Sequence, residues 1–159
     1  YHIQTFAAMK HYDFDRVGSY GYEQLFQTMR ELVLSYPEAQ QMFRRMVFNV
    51  LALNRDDHAK NFAFRLKEGG RWELAPAYDI TYAYDPGHQW LSHHALTING
   101  KVEGISESDL LTVASSMNIK KAKQTIDEVK SAVAQWQTFA KECKIDSKKR
   151  DAIARALSE

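Results

Sequence analysis

The sequence has one cysteine, no long apolar run and almost no net charge. A single cysteine, Cys143, in 159 residues excludes an internal disulfide and fits a reducing compartment. No apolar run reaches the roughly 20 residues that a membrane-spanning helix needs, and the opening residues lack a secretory-signal pattern. A cytoplasmic protein with no membrane partner is expected. The 21 basic and 20 acidic residues leave a charge of +1, so no global field marks direct binding to nucleic acid. Repeats, low-complexity tracts and internal linkers are missing too, and the length suits a single domain over residues 1–159 that is large enough to bury a core. The first residue is Tyr1 rather than Met, and the chain opens in apolar sequence from Ile3 to Met9. We read it as a piece of a longer protein.

What is present is mostly helical pattern. Residues 1–18 have no clean period and read as an extended or looped segment. Ser19 is placed to cap a helix over about 20–35, with Tyr22, Leu25, Phe26, Met29, Leu32 and Val33 on one face. Pro37 suits the first turn of a second helix. That helix ends in the nearly all-apolar run Val47 to Leu53 and should be buried. Residues 61–66 alternate as a strand, Lys67 to Gly70 form a turn, and Arg71 to Ala75 return, giving a β-hairpin. Pro76 fixes its exit and Asp85-Pro86-Gly87 is a turn. Residues 88–105 look irregular, with a short strand at 95–98. Ser106 caps a helix running to about Met117. Asn118 opens a long amphipathic helix through Ala140, and Asp146 or Ser147 opens a last one. The fold class expected is mainly α with a small β-hairpin, an α+β arrangement.

The densest chemistry is Asn54-Arg55-Asp56-Asp57-His58-Ala59-Lys60-Asn61, between the buried helix and the hairpin. Ionisable groups packed against apolar sequence are costly to bury without a role. Asp56 and Asn61 are five residues apart with Arg55 before them. That spacing follows the logic of a kinase catalytic loop, in which Asp takes a hydroxyl proton and Asn holds magnesium. Asp79, at the hairpin's exit, would be the other magnesium ligand. Hard oxygen donors such as Asn61 and Asp79 suit that ion, which also takes ligands from phosphate and water. Spacing alone favours Asp56 over Asp57, which lies four residues from Asn61. The bland alternative is that Asp56, Asp57 and Asn61 cap turns and that His58 and Lys60 are solvated.

Two stretches, Asn54 to Phe64 and Trp72 to Ile80, resemble the C-terminal part of HipA-type serine/threonine kinases, the toxins of HipBA toxin–antitoxin pairs. His11-Tyr12-Asp13 and Ser19 to Phe26 resemble that family as well. The resemblance covers most of the chain and is strongest over 47–82. It implies a helical C-lobe with Asp56 as catalytic base and with Asn61 and Asp79 on magnesium. His58 and Lys60 match motif positions and would contact ATP phosphates or support the loop. It also implies ATP as cofactor, a serine in a protein substrate such as an aminoacyl-tRNA synthetase, and a HipB-like DNA-binding antitoxin as partner. One departure is Asp79-Ile80-Thr81, where ordinary kinases have Asp-Phe-Gly. The other is the lack of a Gly-rich phosphate loop and of a strand-borne nucleotide lysine, Lys10 being the only lysine before Lys60. The family's N-lobe is therefore missing, and the fragment alone should transfer phosphate poorly.

Two other classes compete. A non-catalytic lobe that binds an antitoxin or a partner lobe would not need Asp56, Asn61 and Asp79 together. A metal-dependent nuclease using Asp56, Asp57, His58 and Asp79 is disfavoured by the near-neutral charge. His88, His93 and His94 lack a zinc-site spacing and read as surface loop residues near the substrate. Lys120, Lys121 and Lys123 read as solvated surface, and Trp72, Trp90 and Trp136 as packing residues.

Overall fold

A computed structural model describes residues 2–13 and 15–158; Tyr1, Phe14 and Glu159 lie outside the described residues. The element order is β1 (His2–Thr5), α1 (Phe6–Lys10), α2 (Tyr22–Glu31), α3 (Tyr36–Leu51), β2 (Ala63–Leu66), β3 (Trp72–Leu74), α4 (Glu107–Ser116), α5 (Ala122–Val133), α6 (Trp136–Glu142) and α7 (Ser147–Ala156). The expected α+β class holds: helices dominate and the sheet is small. None of the described helices is long and apolar enough to cross a membrane.

The opening segment is more ordered than its sequence pattern suggests. β1 pairs antiparallel with β2, His2 opposite Leu66 and Thr5 opposite Ala63. The predicted hairpin β2–β3, Phe64 opposite Leu74, thus becomes a three-stranded sheet in the order β1-β2-β3. Four residues are too short for a period to be legible, and α1 is a single turn capped by Thr5, whose hydroxyl accepts from the Ala8 amide at 3.1 Å. Strand β2 starts at Ala63, not at Asn61, because Ala59–Asn61 form one 3-10 turn.

The cap of α2 is Gly21, not Ser19. Gly21 has no side chain to cap with; instead Gln24 reaches back to accept its amide at 2.6 Å. A Cβ on Gly21 would run into Thr97 Oγ1, and this close approach lets the Tyr22 amide donate to the Thr97 carbonyl at 3.0 Å. Residues 95–98 are thereby held as isolated bridges, Gly21 to Thr97 and Ile98 to Lys101. α2 stops at Glu31, and Val33, expected on the buried face, is 87% exposed at a φ of 56°. The Val33 amide donates to Arg30 O and the Leu34 amide to Met29 O, a Schellman ending that demands left-handed backbone at Val33.

α3 is the spine, as expected. Its capping box pairs Ser35 with Glu38, and Phe43, Met42, Met46 and Val47 are fully buried. They pack with Phe6, Tyr22, Leu25, Phe64, Leu96, Ile98 and Leu110 in one core. α5 lies along α3, and Arg44 pairs with Glu128 at 2.6 Å. The predicted single helix from Asn118 to Ala140 is two. Asn118 ends α4 rather than capping α5: at a φ of 58°, it lets the Ile119 amide donate to Ala114 O at 2.8 Å. The chain bends at Ala134 and Gln135, so that the Trp136 indole N–H reaches the Arg150 carbonyl of α7 at 2.9 Å. That tertiary bond overrides a continuous apolar period. Asp146 is the cap of α7, accepting from the amides of Lys148 and Lys149.

Candidate active site

The end of α3 delivers the loop. Leu53, at a φ of 53°, closes a Schellman turn in which the Asn54 amide donates to Asn49 O at 2.9 Å. The chain beyond Asp79 returns alongside. The Arg55 amide donates to Ala83 O at 3.0 Å and the Ala83 amide to Leu53 O at 3.1 Å. Arg55 itself stacks over the Tyr84 ring at 4.3 Å and donates to the Ser92 carbonyl. The start of the loop is therefore stitched to the segment that follows the second stretch.

Asp56 and Asp57 are adjacent but unlike. The Asp57 side chain is fully buried. Its Oδ1 accepts from the Ala95 amide at 2.8 Å, and its Oδ2 accepts from the Tyr22 hydroxyl at 2.8 Å and lies 3.0 Å from His94 Nδ1. Asp57 is thus a structural anchor, with all its capacity committed inside. The Asp56 side chain is 43% exposed. It lines a cleft of about 410 Å³ together with Val17, His58, His88, Trp90 and Leu91. His58 Nε2 stands 3.7 Å from Asp56 Oδ1, and the Asp56 carbonyl accepts from Asn61 Nδ2 at 2.8 Å. An exposed carboxylate on this cleft, whose lining mixes apolar side chains with His58, His88 and a second carboxylate, Asp15, can take a proton from a hydroxyl that enters it.

Asn61 sits in the 3-10 turn, its amide donating to His58 O at 2.9 Å. With its side-chain nitrogen committed to Asp56 O, the oxygen is the atom left for a cation. Asp79 is exposed at a φ of 53°. Its carbonyl is held by Asn54 Nδ2 at 3.5 Å, and the neighbouring Tyr78 hydroxyl donates to the carbonyl of exposed Lys60. Burial raises the Tyr78 phenol's pKa, with the Asp79 charge adding to it and Arg45 opposing. Among the described residues no group of three or more His, Cys, Asp or Glu side chains could hold a metal. The side-chain oxygens of Asn61 and Asp79 are hard donors of the type that magnesium takes, the ion filling its remaining positions with phosphate and water.

The three histidines separate. His88 is exposed on the Asp56 cleft and His93 is half-buried. His94 is no surface residue: it is 3% exposed and held on Asp57. Trp90 is likewise no core residue, being 43% exposed on the cleft wall. Trp72 and Trp136 do pack. Lys123 pairs with Glu107 and Asp127, and Lys10 pairs with Glu31 from the end of α1.

Sequence reasoning missed the support beneath the loop. Asn49 Nδ2 donates to the Tyr22 hydroxyl oxygen at 2.9 Å, and Asn54 Nδ2 donates to Asn49 Oδ1 at 3.0 Å. The available signal was Asn49, one polar residue on an otherwise apolar stretch of α3, with Asn54 five residues later.

The fold has known relatives. The family described as HipA-like C-terminal domain matches residues 1–137. A solved structure of the Shewanella oneidensis MR-1 toxin–antitoxin system, a complex of HipA, HipB and operator DNA, contains a similar chain. The TM-score is 0.60 at 18% identity, over 87% of the present chain. At that identity the likeness establishes the fold. The chain spans 33% of the length of the one it matches. No curated protein matches the sequence.

Proposed function

This chain belongs to the HipA-like C-terminal domain family, and from that premise we propose that it is the catalytic C-lobe of a cytoplasmic, ATP- and magnesium-dependent serine/threonine protein kinase, the toxin of a toxin–antitoxin pair. Asp56 is the base that receives the proton of the substrate hydroxyl. Asn61 and Asp79 would hold magnesium, and His58 and Lys60 would contact ATP phosphates or brace the loop. Bound ATP with magnesium supplies the phosphoryl group and offsets the charge of its oxygens. The chain's own share is orientation: catalysis of this kind is mostly positioning and electrostatics. Leu91, Val17 and Trp90 give the cleft apolar surface beside the Asp56 carboxylate, against which the substrate segment carrying the hydroxyl would pack.

The contrast between Asp56 and Asp57 supports this reading most. Only Asp56 has a carboxylate free to meet a substrate; Asp57 is committed on both oxygens. The substrate would be a serine-bearing protein, an aminoacyl-tRNA synthetase in the family's known cases. A HipB-like antitoxin is the partner suggested by the Shewanella complex, with DNA contacted through it rather than by this lobe. The family's N-lobe would supply the nucleotide lysine and the phosphate loop.

The test is to incubate the full-length protein with magnesium and labelled ATP beside its Asp56→Ala variant. Self-labelling that disappears in the variant is the expected result. Equal labelling of both would mean that the base lies elsewhere. No labelling of either folded protein would favour a non-catalytic lobe that binds an antitoxin or a partner.

A further inference from the structure

Beneath the loop runs a line of hydrogen bonds that is buried except at its Asp79 end, where the contact is 3.5 Å. It starts at the Asp79 carbonyl and passes through Asn54, Asn49 and Tyr22 to Asp57, where His94 and the Ala95 amide join it. Tyr22, Asn49, Asn54, Asp57 and His94 are all at most 3% exposed. None of them lines the Asp56 cleft.

The polarity of the line is forced. An ionised carboxylate only accepts, so the Tyr22 hydroxyl must donate to Asp57. Burial, reinforced by the Asp57 charge, pushes the Tyr22 phenol well above its ordinary pKa, so it keeps the proton that it donates. Its oxygen must then accept from Asn49 Nδ2, which leaves Asn49 Oδ1 to accept from Asn54 Nδ2. Asn54 Nδ2 also meets Asp79 O, and Asn54 Oδ1 has no hydrogen-bond partner among the described residues. Leaving that buried acceptor unpaired is costly, and a core built for stability alone would place an apolar residue there. The two ends of the line are the carboxylate of Asp57, the residue next to Asp56, and the backbone of Asp79.

We propose that Tyr22 and Asn49 are positioning residues that fix the distance between the Asp56 base and the Asp79 metal ligand through this chain, in which Asn54 donates both to the Asp79 carbonyl and towards Asp57. The proposal rests on the roles assigned to Asp56 and Asp79 above. Tyr22→Phe keeps the ring, which meets Phe62 edge-on at 5.4 Å, and removes both bonds of its hydroxyl. Asp79 keeps its bond from Asn54, but the side-chain line from Asn54 to Asp57 is cut.

The test uses the full-length protein with Tyr22→Phe, Asn49→Ser, Asp56→Ala and Asp79→Asn variants, each studied below its own melting temperature. Binding of Mn²⁺ in the presence of a non-hydrolysable ATP analogue is read by electron paramagnetic resonance, and phosphoryl transfer is read as kcat against magnesium concentration. Losing a direct hydrogen-bond partner of a metal ligand costs about 10–100-fold in metal affinity or activity, and Tyr22 acts at a further remove, so the lower end applies. Tyr22→Phe should therefore weaken Mn²⁺ binding about tenfold and raise the magnesium needed for half-maximal rate by a similar factor. Should Tyr22→Phe fail to fold, Asn49→Ser cuts a different link and must show the same shift. Folded variants with lower melting temperatures but wild-type Mn²⁺ affinity and magnesium dependence would overturn the positioning role. Asp56→Ala with undiminished transfer, or Asp79→Asn with undiminished Mn²⁺ binding, would instead overturn the reading of the site beneath it.

Discussion

Glu38 accepts the backbone amide of Leu74 at 2.8 Å while its other oxygen closes the capping box on Ser35, at 2.7 Å to the amide and 2.6 Å to the hydroxyl. One carboxylate thus joins the start of α3 to the edge strand β3, locking the sheet against the helix that carries the loop. Glu38→Ala should cost about 1–2 kcal/mol, the range for a lost cap plus a backbone acceptor. Thermal melting of the variant against the parent measures it.

The same residue gives a pH dependence with a definite sign. Partial burial would raise the Glu38 pKa, but bonds from Ser35 and Leu74 outweigh it and hold the group below its ordinary value of 4.5. A carboxylate depressed in the folded state adds stability above its unfolded pKa and loses it as pH falls through the folded one. The melting-temperature gap between wild type and Glu38→Gln should thus narrow steadily on acidification below about pH 4.5. A gap independent of pH would show that charge at Glu38 is irrelevant.

Val33 offers the opposite kind of change. A β-branched residue at a φ of 56° is strained by about 1 kcal/mol or more relative to glycine. With Val33 87% exposed, little packing is lost by removing its side chain. Val33→Gly should raise the melting temperature by about 2–4 °C, the shift for about 1 kcal/mol in a chain of this size. No rise, or a fall, would mean that the side chain is covered in solution.

The two neighbouring aspartates should part company in a stability assay. Asp57→Ala strands the Tyr22 hydroxyl, His94 and the Ala95 amide inside the protein and should cost about 3 kcal/mol or more. Asp56→Asn keeps the carbonyl that Asn61 holds and changes an exposed group, so its effect should stay within about 0.5 kcal/mol. Under the proposed function, Asp56→Asn should nonetheless lower phosphoryl transfer by about 10²–10⁴-fold. Urea melts and labelled-ATP assays on both variants decide it. A collapse of Asp56→Asn would point to a structural carboxylate.

Much of this was legible in the sequence because of period and spacing. Phe43, Met46 and Val47 mark α3 as the buried spine, and the alternation Phe62, Phe64, Leu66 marks β2. Asp56 and Asn61 stand out as candidates by spacing, and Asp79 by its place at the exit of the hairpin. What stayed hidden is long-range. β1 needs β2 to exist, Gly21 is a cap only because Thr97 packs against it, and the bend at Gln135 follows from Trp136 meeting Arg150 on α7. His94 looked like one of three loop histidines, since nothing local announces that Asp57, 37 positions earlier, will bury it. The polar line from Asn54 to Tyr22 is likewise spread over three elements and has no local motif.

Asp109 fastens the segment that follows His94 and Ala95. Its carboxylate accepts from Ser106 Oγ at 2.6 Å, Ser106 N at 2.9 Å, Asn99 Nδ2 at 2.8 Å and Lys101 Nζ at 3.0 Å. The bond from Ser106 first, then those from Asn99 and Lys101, hold it far below the usual carboxylate range. The residues so fastened follow directly on His94, Ala95, Leu96 and Ile98, which reach Asp57 and the core. A depressed carboxylate loses its contribution only as pH falls below the ordinary value of 3.8 towards its own. Wild type should thus hold this loop to lower pH than most of its other carboxylate contacts, while Asp109→Asn should release it at neutral pH. Amide hydrogen exchange at Ala95 and Ile98 reads this directly: protection should fall in Asp109→Asn at pH 7, and in wild type only on strong acidification. Unchanged protection in the variant would mean that Thr97 and Gly21 hold the loop without Asp109.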